Sequence, residues 1–268
     1  MAEILPFTAS DLPLLEAIRP PDWPDILTPF TNYLAHPESY LPLKLVTDGE
    51  LIGTGCLILH RDTAWLGHII VSPKHRGQGH GQRMTEHLLA ISRDLGTDTT
   101  YLLATELGAP VYSKAGFQDD GAYEFYQLPK TIPPNPESAV LIPIQPSHWA
   151  AILELDRITT GEHRMVLLSK HLPQGYACLE SGELTGYYLP TWGDGLIVAK
   201  TEDAGLAMLL RRLESKEITC LPVENVHAAS VLARLEARPF RTIKKMRFGP
   251  ERDWKPQFIY NRIGGNLG

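Results

Sequence analysis

Apolar residues fall along this chain in two rhythms, and the switches between them mark out its elements. Runs with strand character cover Ile4 to Phe7, Leu43 to Val46, Leu51 to Leu59, Ala64 to Val71, Thr99 to Thr105 and Tyr123 to Leu128. Thr47-Asp48-Gly49-Glu50, between the second and third of these, is a hairpin signal. Helical spacing starts after Ser10-Asp11-Leu12-Pro13, where Leu14, Leu15 and Ile18 share a face, and a second helix is predicted over Trp23 to Leu34. The clearest helix runs from Gln82 to Leu95, with Met84, Leu88, Ile91 and Leu95 on one face and Gly96 placed to end it. Pro129 to Ser138 is proline-rich and polar, the composition of a semi-rigid linker.

Beyond that linker the same order of elements returns. Strand patterns lie at Val140 to Ile144, Tyr176 to Leu179, Leu184 to Leu189, Leu196 to Ala199 and Ile218 to Val223. Helices are predicted from Pro146, from an Asp203 cap to Leu213, and from an Asn225 cap to Leu235. The reading is therefore two domains, at 1–129 and 140–268, joined by a linker at 130–139, which suits a chain of 268 residues.

Chemistry concentrates where the strand ending at Val71 meets the helix from Gln82. The intervening Ser72-Pro73-Lys74-His75-Arg76-Gly77-Gln78-Gly79-His80-Gly81 exposes backbone N–H groups at a helix N-terminus, which favours an anion. Glycines at alternate positions let the backbone curl close to a phosphate, and Arg76 adds a cation that pairs with phosphate oxygens. A Walker A run is missing, and Gln82 stands where a dinucleotide fingerprint needs its third glycine.

The stretch instead resembles the R-G-x-G-x-G/A signature of the GNAT acetyltransferase family, including a Val-x-Pro lead-in. A second segment, Leu102 to Phe117, is similar to that family's strand, short helix and Y-x-x-x-G-F motif. The resemblance implies an α+β fold of two tandem GNAT-like domains, each a mixed, mostly antiparallel sheet flanked by helices. It implies acetyl-coenzyme A as co-substrate, with Arg76, Gly77, Gln78, Gly79, His80 and Gly81 around its pyrophosphate. Ile69 and Val71 are the expected backbone partners of the pantetheine arm. Tyr112 takes the place of the tyrosine that protonates the departing thiolate. The acidic base that the signature strand often supplies is missing between Ala64 and Val71. His68, the one group there that titrates near neutrality, and Glu106, just past the next strand, are the candidates left for that role. Trp23, Phe30 and Tyr33 either line the acceptor pocket or pack on the sheet, packing being favoured.

The second half lacks this chemistry. Lys200 to Gly205 carries two carboxylates where phosphates would lie, and Leu235 aligns with Tyr112. The whole resembles tandem GNAT proteins with a degenerate C-terminal domain, a class to which the stretch holding Asp156, Arg157, Gly161 and Arg164 is also similar. That domain is left an acceptor-site or dimerisation role, compatible with a homodimer, and Asp156, Arg157 and Arg164 are read as a structural ion pair in preference to an acceptor site.

Charge and composition narrow the remaining choices. With 25 Lys and Arg against 31 Asp and Glu, a general nucleic-acid binder is disfavoured. Cys56, Cys178 and Cys220 are far apart, without metal or disulfide spacing, and no metal is expected. The longest apolar runs fall well short of a membrane span, and a cytoplasmic location is expected. The functional expectation is transfer of an acetyl group to a small amine or a peptide. The alternative is a coenzyme-binding sensor without turnover.

Overall fold

The computed structural model describes residues 2–21, 23, 25–129 and 140–268. In chain order the elements are β1 (Glu3–Pro6), α1 (Leu15–Ile18), α2 (Leu27–Ala35), β2 (Tyr40–Thr47), β3 (Glu50–Leu59), β4 (Thr63–Val71), α3 (His80–Asp94), β5 (Thr99–Ala104), α4 (Ala109–Lys114) and β6 (Gln118–Gln127). Then follow β7 (Leu141–Pro143), α5 (Trp149–Thr160), α6 (Met165–Leu168), β8 (Tyr176–Glu180), β9 (Glu183–Leu189), β10 (Leu196–Ala199), α7 (Glu202–Leu213), β11 (Ile218–Pro222), α8 (Val226–Arg234), β12 (Arg238–Phe248) and β13 (Ile259–Asn261). Among the described residues no helix is long and apolar enough to cross a membrane. The expected linker, 130–139, lies outside the described residues.

Two compact units divide the chain. The N-terminal unit runs to Asp119 and includes Met246–Pro250 and Leu267, and the C-terminal unit holds Asp120–Lys245, Glu251–Asn266 and Gly268. The division falls at Asp119/Asp120 rather than after Pro129. Its cause is strand pairing: Tyr123 to Gln127 of β6 pair antiparallel with Pro222 to Ile218 of β11, so these backbone groups are satisfied inside the C-terminal unit. Met246 and Phe248, from far along the sequence, pack in the N-terminal core instead.

In the N-terminal unit the strands lie in the order β1-β2-β3-β4-β5. All neighbours are antiparallel except β4 and β5, which run parallel. Leu43, Leu45, Ile52, Leu57 and Leu66 of the sheet meet Met84 and Leu88 of α3 in one apolar cluster. Leu95 does not join them: α3 ends at Asp94 and Leu95 caps it, exposed. The second predicted helix starts later than Trp23, at Leu27, because the Asp25 carboxylate accepts from the Leu27 and Thr28 N–H groups and stabilises the start there.

The C-terminal unit has an antiparallel sheet in the order β13-β10-β9-β8-β7. The expected hairpin closes through Ser181 and Gly182, both at positive φ. Asn225 caps α8 by accepting from Ala228 N–H at 2.9 Å, as its position predicts. Asp203 is not the cap of α7; Thr201 holds that place, and Glu202 and Asp203 sit in the first turn, where the helix dipole favours carboxylates. Asp156 and Arg164 form a buried ion pair at 2.5 Å, with Tyr187 donating to the same carboxylate. Arg157 stands apart from it, pairing at the surface with Glu154.

A candidate acyl-transfer site at the parting of two strands

Parallel pairing between β4 and β5 covers Thr63↔Thr99, Ala64↔Thr100 and Trp65↔Tyr101 and stops there. Beyond Trp65 the two strands part. A register shift against β3 lies between Thr54 and Cys56, opposite the segment from Gly67 to Ile70, and His68 within it adopts φ 49°. A non-glycine residue in the left-handed region is strained, and here it marks a bulge that bends β4 away from its neighbour. The Thr54 hydroxyl donates to the His68 carbonyl at 3.1 Å and helps hold the bend.

Strand alternation then decides which groups face the gap. Ser72 N–H donates to the Ile52 carbonyl at 2.8 Å, and Ile70 pairs with Thr54. The backbone groups of Ile69 and Val71, one residue out of phase, therefore point away from β3 and into the opening. Among the described residues no strand ladders onto this edge of Leu66 to Val71.

The glycine-rich loop closes the end of the gap. Gly77 and Gly79 have φ of 74° and 79°, so each needs glycine for its backbone, and a Cβ at either would meet nothing within 4 Å. Gly79 is the N-cap of α3, and among the described residues no side chain caps the helix's first N–H groups. This open, curled backbone at a helix N-terminus fits a pyrophosphate. Arg76, expected to pair with phosphate, is exposed, and its Nε donates to the Val71 carbonyl at 3.1 Å, tying the loop back to β4.

After β5, the short helix α4 carries Tyr112. The ring is half-buried against the apolar cluster, 6.1 Å from the Phe117 centroid. A Cβ at position 108 would come within 2.8 Å of this ring, so Gly108 makes room for it. Burial pushes the Tyr112 phenol up to about 12, which keeps its proton available for donation at neutral pH. Phe117 N–H donates to the Tyr112 carbonyl at 3.0 Å and closes α4 through Gly116 at φ 96°.

His68 stands in an aromatic enclosure. Tyr33 Oη lies 2.8 Å from its Nδ1, and the Trp23, Phe30 and Tyr33 rings lie 6.1, 5.6 and 5.6 Å from the imidazole. Phe30 and Tyr33 are buried, while Trp23 and His68 keep part of their surface. Burial lowers His68 from 6.5 to about 4, so the ring is neutral at pH 7. Glu106 lies exposed in the turn between β5 and α4. The sequence places Tyr33 at the acceptor pocket or packed on the sheet; its hydrogen bond to His68 is not expected from it, because nothing in a helix pattern announces a bond to a residue 35 positions away.

The C-terminal unit offers a matched control. There β10, α7, β11 and α8 follow the order of β4, α3, β5 and α4. The free edge of β10, however, is taken by β13, with Ile197↔Asn261 and Val198↔Ile259. On its other side β13 reaches β11: Arg262 N–H donates to the Cys220 carbonyl at 3.0 Å, and the Asn261 amide oxygen accepts from Thr219 and Cys220. Tyr260 lies over Gly205 in the first turns of α7, so close that a Cβ at 205 would meet its ring at 2.1 Å. The turn after α8 also revises the expected alignment. Ala237 N–H donates to the Leu232 carbonyl at 2.9 Å, and Glu236 takes φ 58°. The counterpart of Tyr112 is thus the buried Leu232, not Leu235.

Among known proteins, the model of the acetyltransferase (GNAT) family matches residues 7–117. A candidate acetyltransferase from Pyrococcus horikoshii aligns over 100% of this chain and 96% of its own, with a TM-score of 0.84 and 21% identity. A tandem GNAT protein from the clavulanic acid biosynthesis pathway aligns over 94% of this chain and 100% of its own, with a TM-score of 0.62 and 17% identity. No curated protein sequence matches the chain.

Proposed function

We propose, from the match of residues 7–117 to the acetyltransferase (GNAT) family model, that the chain moves an acetyl group from acetyl-coenzyme A to an amine by direct attack on the thioester. The observation that supports the reading is the parting of β4 from β5 after Trp65, with a left-handed glycine loop following β4; Tyr112, on the helix after β5, is assigned the side facing that opening. The pantetheine arm pairs with the outward backbone groups of Ile69 and Val71. The pyrophosphate rests on the N–H groups of Gln78, Gly79, His80 and Gly81, with Gly77 supplying the turn and Arg76 the nearby charge.

In the reaction the amine nitrogen bonds to the thioester carbonyl carbon. A backbone N–H of β4 stabilises the oxyanion that forms. His68, neutral and partly exposed, takes the amine proton. The C–S bond breaks, its electron pair leaves on sulfur, and the Tyr112 hydroxyl proton transfers to that thiolate. Water returns a proton to Tyr112 and removes one from His68. Glu106 ranks second to His68 as base because it lies exposed in a turn outside β4. The acceptor is a small amine or a peptide N-terminus.

A thiol-release assay with acetyl-coenzyme A and a panel of amines, amino acids and peptides tests this. Turnover with at least one acceptor is expected, with loss of turnover but retained coenzyme binding in Tyr112→Phe. Coenzyme binding without acetyl transfer to any acceptor would move the protein to the sensor class.

A further inference from the structure

The Tyr33–His68 pair carries one inference beyond that reading, and it rests on His68 being the base. We propose that Tyr33 is a positioning residue: its phenol oxygen accepts from His68 Nδ1–H and thereby leaves the lone pair on Nε2, the nitrogen that takes the acceptor's proton. The two atoms are 2.8 Å apart, and among the described residues Nε2 has no hydrogen-bond partner. Two arrangements satisfy that distance. If Tyr33 donated to Nδ1, the hydrogen would sit on Nε2 and the ring would have no lone pair to offer there. If Tyr33 accepts, Nε2 is bare, and uptake of a proton gives an imidazolium with both nitrogens donating. Tyr33 already accepts in that form, so proton transfer needs no rearrangement of the pair. In the opposite arrangement the contact would have to break and re-form within each cycle.

The surroundings support the same assignment. The groups facing His68 are Phe30 and Tyr33 from α2, Trp23 from the segment before it, and Thr54 from β3, whose hydroxyl is committed to the His68 carbonyl. None of these is a carboxylate or a cation. Among the described residues the tautomer therefore depends on one neutral hydrogen-bond partner, the Tyr33 phenol, as in sites where the bond at one ring nitrogen sets the role of the other. The left-handed backbone at His68 and the buried Tyr33 ring hold the two in register.

Nitrogen-15 NMR of histidine-labelled protein tests this without any acceptor. The His68 resonances are assigned by their loss in His68→Gln. Wild type is expected to show the Nδ1–H tautomer, and Tyr33→Phe is expected to move the ring toward Nε2–H. In parallel, Tyr33→Phe should lower kcat by roughly tenfold or more, with the KM for acetyl-coenzyme A and the melting temperature little changed. A wild-type Nε2–H tautomer, or the same tautomer and the same kcat in Tyr33→Phe, would overturn the proposal. Because the NMR result needs no turnover, absence of acetyl transfer to any amine would count against the proposed function and be separable from a wrong tautomer.

Discussion

The two units set the same order of strand, helix, strand and helix against opposite fates for the gap between the strands. In the N-terminal unit β4 and β5 part after Trp65, and no strand ladders onto the freed edge among the described residues. In the C-terminal unit β13 occupies the corresponding edge of β10 and is bonded to β11 as well. A helix N-terminus lined by left-handed glycines in one is matched in the other by Glu202, Asp203 and the Tyr260 ring over Gly205. The lesson is physical. An unpaired strand edge exposes N–H and C=O groups that some partner must satisfy. One unit leaves that edge unladdered among the described residues, where the proposed function puts an extended ligand arm, and the other satisfies it with its own chain.

The comparison predicts where substitutions act. The largest effect is expected from Gly79→Asp, which places a carboxylate on a backbone at φ 79° beside the proposed pyrophosphate. Acetyl-coenzyme A affinity should fall by about 100-fold or more, read by calorimetry, while the C-terminal unit stays folded. Next is Tyr112→Phe, which removes the proposed proton donor. Its kcat should fall by about 100-fold with coenzyme affinity retained. An equal loss of both would mean that Tyr112 serves binding instead.

Gly205→Ala probes the filled gap. Its Cβ would meet the Tyr260 ring at 2.1 Å, so the ring must shift, at a cost of about 1–3 kcal/mol. Chemical denaturation should show that loss, with coenzyme affinity unchanged. Gly81→Ala is the mild counterpart, since its Cβ would meet only Val71 at 3.9 Å.

The smallest effect concerns pH. His68 falls from 6.5 to about 4 on folding, so between those values the unfolded chain binds the extra proton. Stability should decline as pH falls from 6.5 toward 4, and His68→Gln should flatten that limb in melting scans. The raised Tyr112 phenol predicts no alkaline loss of kcat from this group until pH nears about 12.

Much of this arrangement was legible in the residues because local chemistry wrote it there. The strand–glycine loop–helix run, the hairpin at Ser181 and Gly182 and the Asn225 cap all follow from backbone preferences of a few adjacent residues. The features that could not be read depend on distant pairing. The move of β6 into the C-terminal unit needs β11, about 90 residues on. Tyr33 against His68 and β13 against β10 are likewise long-range, and the bulge at His68 has no signature in its side chains. The Leu235 alignment failed because it counted residues, whereas the bond from Ala237 to Leu232 shows where the helix turn closes.

Calorimetric titration of acetyl-coenzyme A into the whole chain tests the central contrast most directly. One open gap and one filled gap predict binding of about one coenzyme per chain, abolished by Gly79→Asp and unaltered by Gly205→Ala. Two coenzymes per chain, or one that survives Gly79→Asp, would contradict the account.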